Sequence, residues 1–304
     1  IKKFTHQPIV IRVKMIMNTI THAIIPTAGF GTRMLPLSKA VPKELLPLGD
    51  KPAIHYVVME AVRAGIKTIV LVNHAQKQAI ENYFDINTEL DSQLRQKGKD
   101  GLADGLNFLP KDVRIVSVRQ GYPLGLGHAV LQGRAVVGDN PFVVLLPDVV
   151  LDPFMTDFRA DNLAYMMTRF AQTGRSQILV EPVADSQVHK YGIARLKDRQ
   201  SVQKSDANHP FDVLGFVEKP SLDLAPSNLA VVGRYVFSPE IFEYLAKTKP
   251  SVGGEIQLTD AIDALISQQG MDVVTIKGAS FDAGDMTSYI QAFAYFASQV
   301  DQSF

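Results

Sequence analysis

The strongest constraint on this chain is an alternation that starts at Thr21. Strand-length apolar runs take turns with amphipathic helical stretches, the order in which a mostly parallel sheet covered by helices is written. Runs at 23–25, 68–72, 113–118 and 142–146 read as strands, the last three as buried central ones. Between the first two, Ile54, Val57, Val58, Ala61 and Val62 recur at helical spacing, so a helix is expected over 53–64 with Gly65 just past its end. Further strands are predicted at 177–180, 213–217 and 231–236, and a helix at 163–170. Ser238-Pro239-Glu240 offers an N-cap, a proline for the first helical position and an acid for the first turn, which predicts a helix from there to about Lys247. A last helix is expected at 287–300. No internal repeat and no linker rich in Pro, Gly or Ser divides this order, so 19–304 reads as a single α/β domain with a C-terminal helical tail.

Composition narrows the function. The chain is 46% hydrophobic and 20% charged, an ordinary globular balance. Its 31 basic residues equal its 31 acidic ones, so the basic excess that a nucleic-acid partner usually demands is missing. The absence of cysteine excludes disulfides, thiolate zinc and a cysteine nucleophile, and suits a reducing compartment, so a cytoplasmic location is expected. Any metal must then be held by oxygen or histidine. No apolar run reaches the roughly 18 residues that cross a bilayer, and no membrane partner is expected. Residues 1–18 mix Lys2, Lys3, Arg12 and Lys14 with Ile9-Val10-Ile11 and lack a small-residue cleavage site. They read as a flexible or added extension, with a natural start near Met15 or Met17.

The chemistry begins right after the first strand, at Pro26-Thr27-Ala28-Gly29-Phe30-Gly31-Thr32-Arg33-Met34-Leu35-Pro36, continuing to Pro42-Lys43-Glu44. Glycines let backbone N–H groups approach a ligand, while Arg33 and Lys43 add charges for phosphate oxygens, so a triphosphate is the natural guest. No Gly-Lys-Ser/Thr follows, which excludes a P-loop. Met34 stands where a dinucleotide fingerprint would have its third glycine. A bare surface turn with solvated charges is the other reading of two glycines alone.

The length of this stretch resembles the signature of the sugar nucleotidyltransferases, the nucleoside-diphosphate-sugar pyrophosphorylase family. Within that family the chain is similar to the bacterial UDP-glucose pyrophosphorylases, through Arg119-Gln120-Gly121, Gly125-Leu126-Gly127-His128-Ala129-Val130, Leu146-Pro147-Asp148-Val149, Val180-Glu181-Pro182-Val183, Tyr191-Gly192 and Val217-Glu218-Lys219-Pro220. Gly233-Arg234-Tyr235 and the block from Gly254-Glu255-Ile256-Gln257 to Ile262 extend the likeness to about Ala297.

The resemblance implies a Rossmann-like, mixed but mostly parallel sheet that binds nucleotide at the carboxyl ends of its strands. It implies transfer of the uridylyl group of UTP to glucose 1-phosphate, with release of pyrophosphate, with Mg²⁺ as cofactor and in a homo-oligomer, dimer or tetramer. Ala28, Gly29 and Gly31 match nucleotide-binding backbone, and Glu44, Gln120, Gly125 and Gly127 match the part that reads base and ribose. Arg33, Lys43 and Lys219 match the catalytic cations. Tyr191, Gly192, Glu218 and Lys219 match the sugar-phosphate pocket. Asp148 matches the magnesium aspartate and Asp282 is the other metal candidate; Val149 stands where several relatives carry a second acid. His128 reads as structural. Glu218 and Lys219 would face opposite ways on a continuous strand, so serving one pocket requires the strand to end there, as Pro220 suggests. A thymidylyltransferase of the same family, a non-catalytic sugar-nucleotide sensor and an NAD-dependent dehydrogenase are the rival readings, the last disfavoured by the missing glycine.

Overall fold

A computed structural model describes residues 19–197, 210–251 and 253–300. The expected extension at 1–18 lies outside the described residues. Strand β1 (His22–Pro26) leads through the glycine turn to a small ribbon, β2 (Pro47–Leu48) and β3 (Lys51–Pro52), and then to helix α1 (Ala53–Arg63). Next come β4 (Thr68–Asn73), the surface helices α2 (Gln78–Phe84), α3 (Thr88–Gln96) and α4 (Asp100–Leu106), and β5 (Arg114–Arg119). Helices α5 (Leu126–Gln132) and α6 (Arg134–Val137) precede β6 (Phe142–Leu145), β7 (Val149–Leu151) and α7 (Leu163–Thr173). Four strands follow: β8 (Ser176–Pro182), β9 (Gly192–Leu196), β10 (Pro210–Glu218) and β11 (Leu229–Phe237). The chain continues with α8 (Ile241–Lys247), α9 (Leu258–Gln269), β12 (Met271–Thr275), β13 (Ser280–Asp282) and α10 (Met286–Val300).

Nine strands form one sheet in the order β5-β4-β1-β6-β11-β8-β12-β10-β9. The first four are parallel, and β11 then runs antiparallel between β6 and β8. β8 and β12 are parallel, while β10 is antiparallel to both β12 and β9. The α/β sheet is therefore mixed, as expected. Strand pleating divides the core: Ala23 and Ile25 pack with α1, α7 and α10 on one face, and Ile24 packs with α5, α8 and α9 on the other. Because β1, β4 and β6 are parallel, the glycine turn after Pro26, the segment after Asn73 and the turn carrying Asp148 open at one end of the sheet.

Two expectations are corrected. The strand read at 113–118 is not central: β5 pairs with β4 alone, at the edge, and Arg114, Ser117 and Arg119 are exposed along it. Its charges suit an edge that must not template another strand. Ser238 does not cap a helix either, since α8 starts at Ile241 without a side-chain cap and the Ser238 hydroxyl instead meets Gln269 Oε1 at 3.4 Å. Pro239 and Glu240 form the turn that precedes α8.

Candidate active site

Two cavities meet at the open end of the sheet. The smaller, about 430 Å³, is lined by Ala28, Gly29, Gly31, Lys43, Glu44, Gln120 and Gly125. The larger, about 970 Å³, is lined by Arg33, Tyr191, Gly192, Glu218, Lys219 and Asp282. Asp148 lines both, at the junction.

Lys43 reaches that junction because the glycine turn makes room for it. Gly31 has φ 64, and a Cβ there would stand 3.3 Å from Lys43 Cδ, so glycine relieves backbone strain and lets the lysine stem pass. Lys43 Nζ then donates to Asp148 Oδ2 at 2.6 Å. Burial pushes the Asp148 carboxyl up, but the Lys43 ammonium and, less strongly, Arg33 outweigh it and hold the group below the usual carboxylate range. Burial likewise pushes Lys43 down, and Asp148 and Glu44 reverse that, so the pair is charged on both sides.

Asp282 comes from a different part of the chain. β13 pairs antiparallel with β7 and sets Asp282 opposite Val149, so the second carboxylate stands across the ladder from the residue that follows Asp148. The main chain ties them further: Ala283 N donates to the Asp148 carbonyl at 2.7 Å and Gly284 N to Asp282 Oδ1 at 2.6 Å. A Cβ on Gly284 would lie 2.9 Å from Asp282 Oδ1, 3.2 Å from Asp148 Oδ2 and 2.9 Å from Arg33 Nη2, so both carboxylates and the guanidinium converge on one point that only glycine leaves open. Burial first, and then the Asp148 charge, raise the Asp282 carboxyl. Among the described residues no third His, Asp or Glu completes a cage made of protein alone.

In the smaller cavity the side chains are more committed than their sequence roles suggested. The Glu44 carboxylate is buried and accepts from Lys77 Nζ at 2.9 Å through both oxygens, and Lys77 also donates to the Thr27 carbonyl at 2.7 Å. Glu44 thus lies against the cavity as half of a buried ion pair that braces the glycine turn. Gln120 Nε2 donates to the Gly125 carbonyl at 3.1 Å and lies 3.0 Å from His128 Nδ1, which leaves its amide oxygen as the group free to accept from a ligand. His128 is therefore a support for Gln120, in keeping with a structural role.

The glycines of the Gly125-Leu126-Gly127 turn serve protein packing. A Cβ at Gly125 would stand 2.9 Å from the Ile256 carbonyl oxygen, and one at Gly127 only 2.8 Å from it. Gly127 N donates to that same oxygen at 2.9 Å, and Ile256 N donates to the Leu124 carbonyl at 2.8 Å. Gly127 lines neither cavity, so the structure does not bring it to the site.

In the larger cavity, β10 ends at Glu218, and Lys219 turns through φ 46, a left-handed conformation rare for a side chain of this kind. That turn brings Lys219 Nζ to 3.4 Å from Glu218 Oε1 and puts both on one cavity wall. Lys219 N donates to the Tyr191 carbonyl at 3.0 Å, which fixes Tyr191-Gly192 beside them. A Cβ on Gly192 would press to 3.2 Å from Glu218 Oε2.

A family model described as nucleotidyl transferase matches residues 22–299. The chain belongs to the nucleotidyl transferase family. This nucleotidyl transferase is 51% identical over 275 residues to the UTP–glucose-1-phosphate uridylyltransferase of Escherichia coli K12, covering 90% of this chain and 89% of that protein. It is 51% identical over 272 residues to the enzyme of that name from Haemophilus influenzae, covering 89% of this chain and 91% of that one. A solved UDP-glucose pyrophosphorylase from Acinetobacter baumannii superposes with a TM-score of 0.84 at 41% identity, covering 93% of this chain and 98% of that one.

Several residues of the site escaped sequence reasoning. Lys77, between Gln76 and Gln78, carries no signal that separates it from a solvated lysine; only the fold buries it beside Glu44. Arg234 and Glu60 form a fully buried pair beneath the Asp148 turn. There a signal existed, because Gly233 interrupts an apolar strand and a lone glycine in a strand marks a bulge.

Proposed function

We propose that this protein transfers the uridylyl group of UTP to glucose 1-phosphate, yielding UDP-glucose and pyrophosphate. The observation that carries the reading is the meeting of two cavities at Asp148, with the glycine turn and Lys43 on one side and Glu218-Lys219 on the other. The names of the relatives support it, as does a UDP-glucose pyrophosphorylase solved in complex with UDP-glucose, 34% identical to this chain with a TM-score of 0.78 over 92% of it.

The reaction forms a bond from a phosphate oxygen of glucose 1-phosphate to the α-phosphorus of UTP and breaks the bond from that phosphorus to the bridging oxygen, which leaves on pyrophosphate. The attacking phosphate is already ionised near neutral pH, so positioning and charge stabilisation supply the catalysis and no general base is needed. Lys219 holds the nucleophile, with Glu218 and the Tyr191-Gly192 backbone on the sugar. Ala28, Gly29 and the Gln120 amide oxygen face uridine, and Arg33 and Lys43 steady the departing pyrophosphate. The oxygen-only donor set of Asp148 and Asp282, converging on Gly284, fits Mg²⁺, which commonly takes one or two carboxylates and completes its shell with phosphate oxygens and water. When bound it supplies charge neutralisation to the phosphate oxygens.

A panel of four nucleoside triphosphates against several sugar 1-phosphates, read by pyrophosphate release, tests the assignment. UTP with glucose 1-phosphate is the pair expected to turn over fastest; preference for dTTP would make the protein a thymidylyltransferase, and silence with every pair would leave only a sensor. The reading includes a cytoplasmic enzyme, supported by the absence of cysteine, and a homo-oligomer, which sedimentation would test. Among the described residues no helix is long and apolar enough to cross a membrane.

A further inference from the structure

The turn that carries Asp148 lies between β6, which ends at Leu145, and β7, which begins at Val149; the Asp148 carbonyl is met by Ala283 N, and the Leu146 carbonyl, outside both strands, must find a donor elsewhere. Arg234 supplies it and reaches the first carbonyl of β7 as well. Its side chain is wholly buried, with Nη1 donating to the Leu146 carbonyl at 3.1 Å and Nη2 donating to the Val149 carbonyl at 2.7 Å. One guanidinium therefore grips the main chain on both sides of Pro147-Asp148. The rest of the fork is filled by Glu60 of α1, which accepts from Nε at 3.0 Å and from Nη2 at 2.8 Å.

β11 is shaped to aim this side chain. Its pairing with β8 slips between Val231 and Tyr235, and Gly233 within the slip has φ 81. A Cβ at Gly233 would stand 2.9 Å from Leu146 Cδ1, and the Gly233 carbonyl accepts from Leu146 N at 2.9 Å, so the bulge itself lies against the Asp148 turn. Burying an arginine and a glutamate in a core is costly, and apolar residues of equal volume commonly stabilise as well or better. A pair kept here, forked onto two carbonyls that flank a catalytic carboxylate, points to positioning.

We propose that Arg234, neutralised by Glu60, is a positioning residue that fixes the Asp148 carboxylate for the metal and phosphate side of the reaction. The proposal rests on the reading above, in which Asp148 holds the metal. Such supporting partners of a metal ligand typically tune affinity ten- to a hundredfold.

The test uses the full chain with Glu60→Met/Arg234→Met, which removes both charges together and so avoids a stranded ion, and Arg234→Lys, which keeps a cation for Glu60 but cannot fork to both carbonyls. Thermal melting checks the fold, and Mn²⁺ uptake with saturating UTP, followed by electron paramagnetic resonance, reads the site without turnover. Both variants are expected to melt as folded proteins, to bind Mn²⁺ about tenfold or more weakly, and to lose kcat while KM for glucose 1-phosphate stays unchanged. A folded variant of either kind with parental Mn²⁺ affinity and kcat would overturn the proposal. Asp148→Asn separates the two readings: if it too binds Mn²⁺ normally, the metal assignment fails and takes the clasp with it, whereas loss in Asp148→Asn alone defeats only the clasp.

Discussion

Lys219 shows what a single backbone conformation can reveal. A side chain held at φ 46 carries backbone strain that folding alone gives no reason to keep, and such outliers gather at ligand sites. Lys219→Ala is expected to lower turnover by orders of magnitude with an intact fold, measured as initial rates of pyrophosphate release beside a melting curve. Lys219→Gly is expected to be equally inactive yet to melt at or above the parental temperature, because glycine accepts this φ freely. A near-normal rate in either variant would remove Lys219 from the mechanism. Sequence reasoning identified Lys219 and its requirement that the strand end there, but not the left-handed turn that meets it.

At the scale of elements, packing of α5 against the segment before α9 depends on the absence of side chains. Gly127→Ala forces a methyl to 2.8 Å from the Ile256 carbonyl oxygen, an overpacking expected to cost about 1–3 kcal/mol in denaturant melts. Since Gly127 lines neither cavity, its effect on KM for UTP should be small beside that on stability. Helix α1 carries a pH response. His55 is buried, with Nδ1 2.9 Å from the Tyr83 hydroxyl. Burial first, and then the nearby Lys51, lower its pKa to about 4, with Asp50 opposing and Arg63 assisting. The unfolded chain, near 6.5, therefore takes up the proton first. The stability that neutral His55 contributes is complete above that value and is lost as pH falls toward 4, on the order of 3 kcal/mol in all. Melts between pH 7 and 4 should show this slope, and His55→Phe should flatten it; an unchanged slope would rule His55 out.

Across the whole molecule, the last helix closes the first half of the fold. Phe296 of α10 is fully buried, with its ring 4.8 Å from that of Tyr56 in α1 and 5.4 Å from that of Phe281 in β13, next to Asp282. Phe296→Ala is expected to cost about 3–5 kcal/mol by urea unfolding, and a cost under 1 kcal/mol would show that the tail is not part of the core. The alternation of apolar runs made the α/β class, helix α1, seven of the strands and the tail helix legible, because periodicity is a local property of the chain; the short strands β7, β9, β12 and β13 and the surface helices α2 to α4 were missed. It misjudged β5, since an apolar run does not say whether a strand has one neighbour or two. The cavity-lining residues were legible where glycines and charges cluster in sequence, as at Gly29, Arg33 and Lys43. What sequence by itself determined was thus the family, the sheet and the presence of Asp148 and Lys219. Only tertiary structure decided that Asp282 stands across a ladder from Val149, that Lys77 is sealed against Glu44, and that Arg234 clasps the Asp148 turn. Those contacts join residues far apart along the chain, and burial, which no local pattern encodes, is what makes their charges matter.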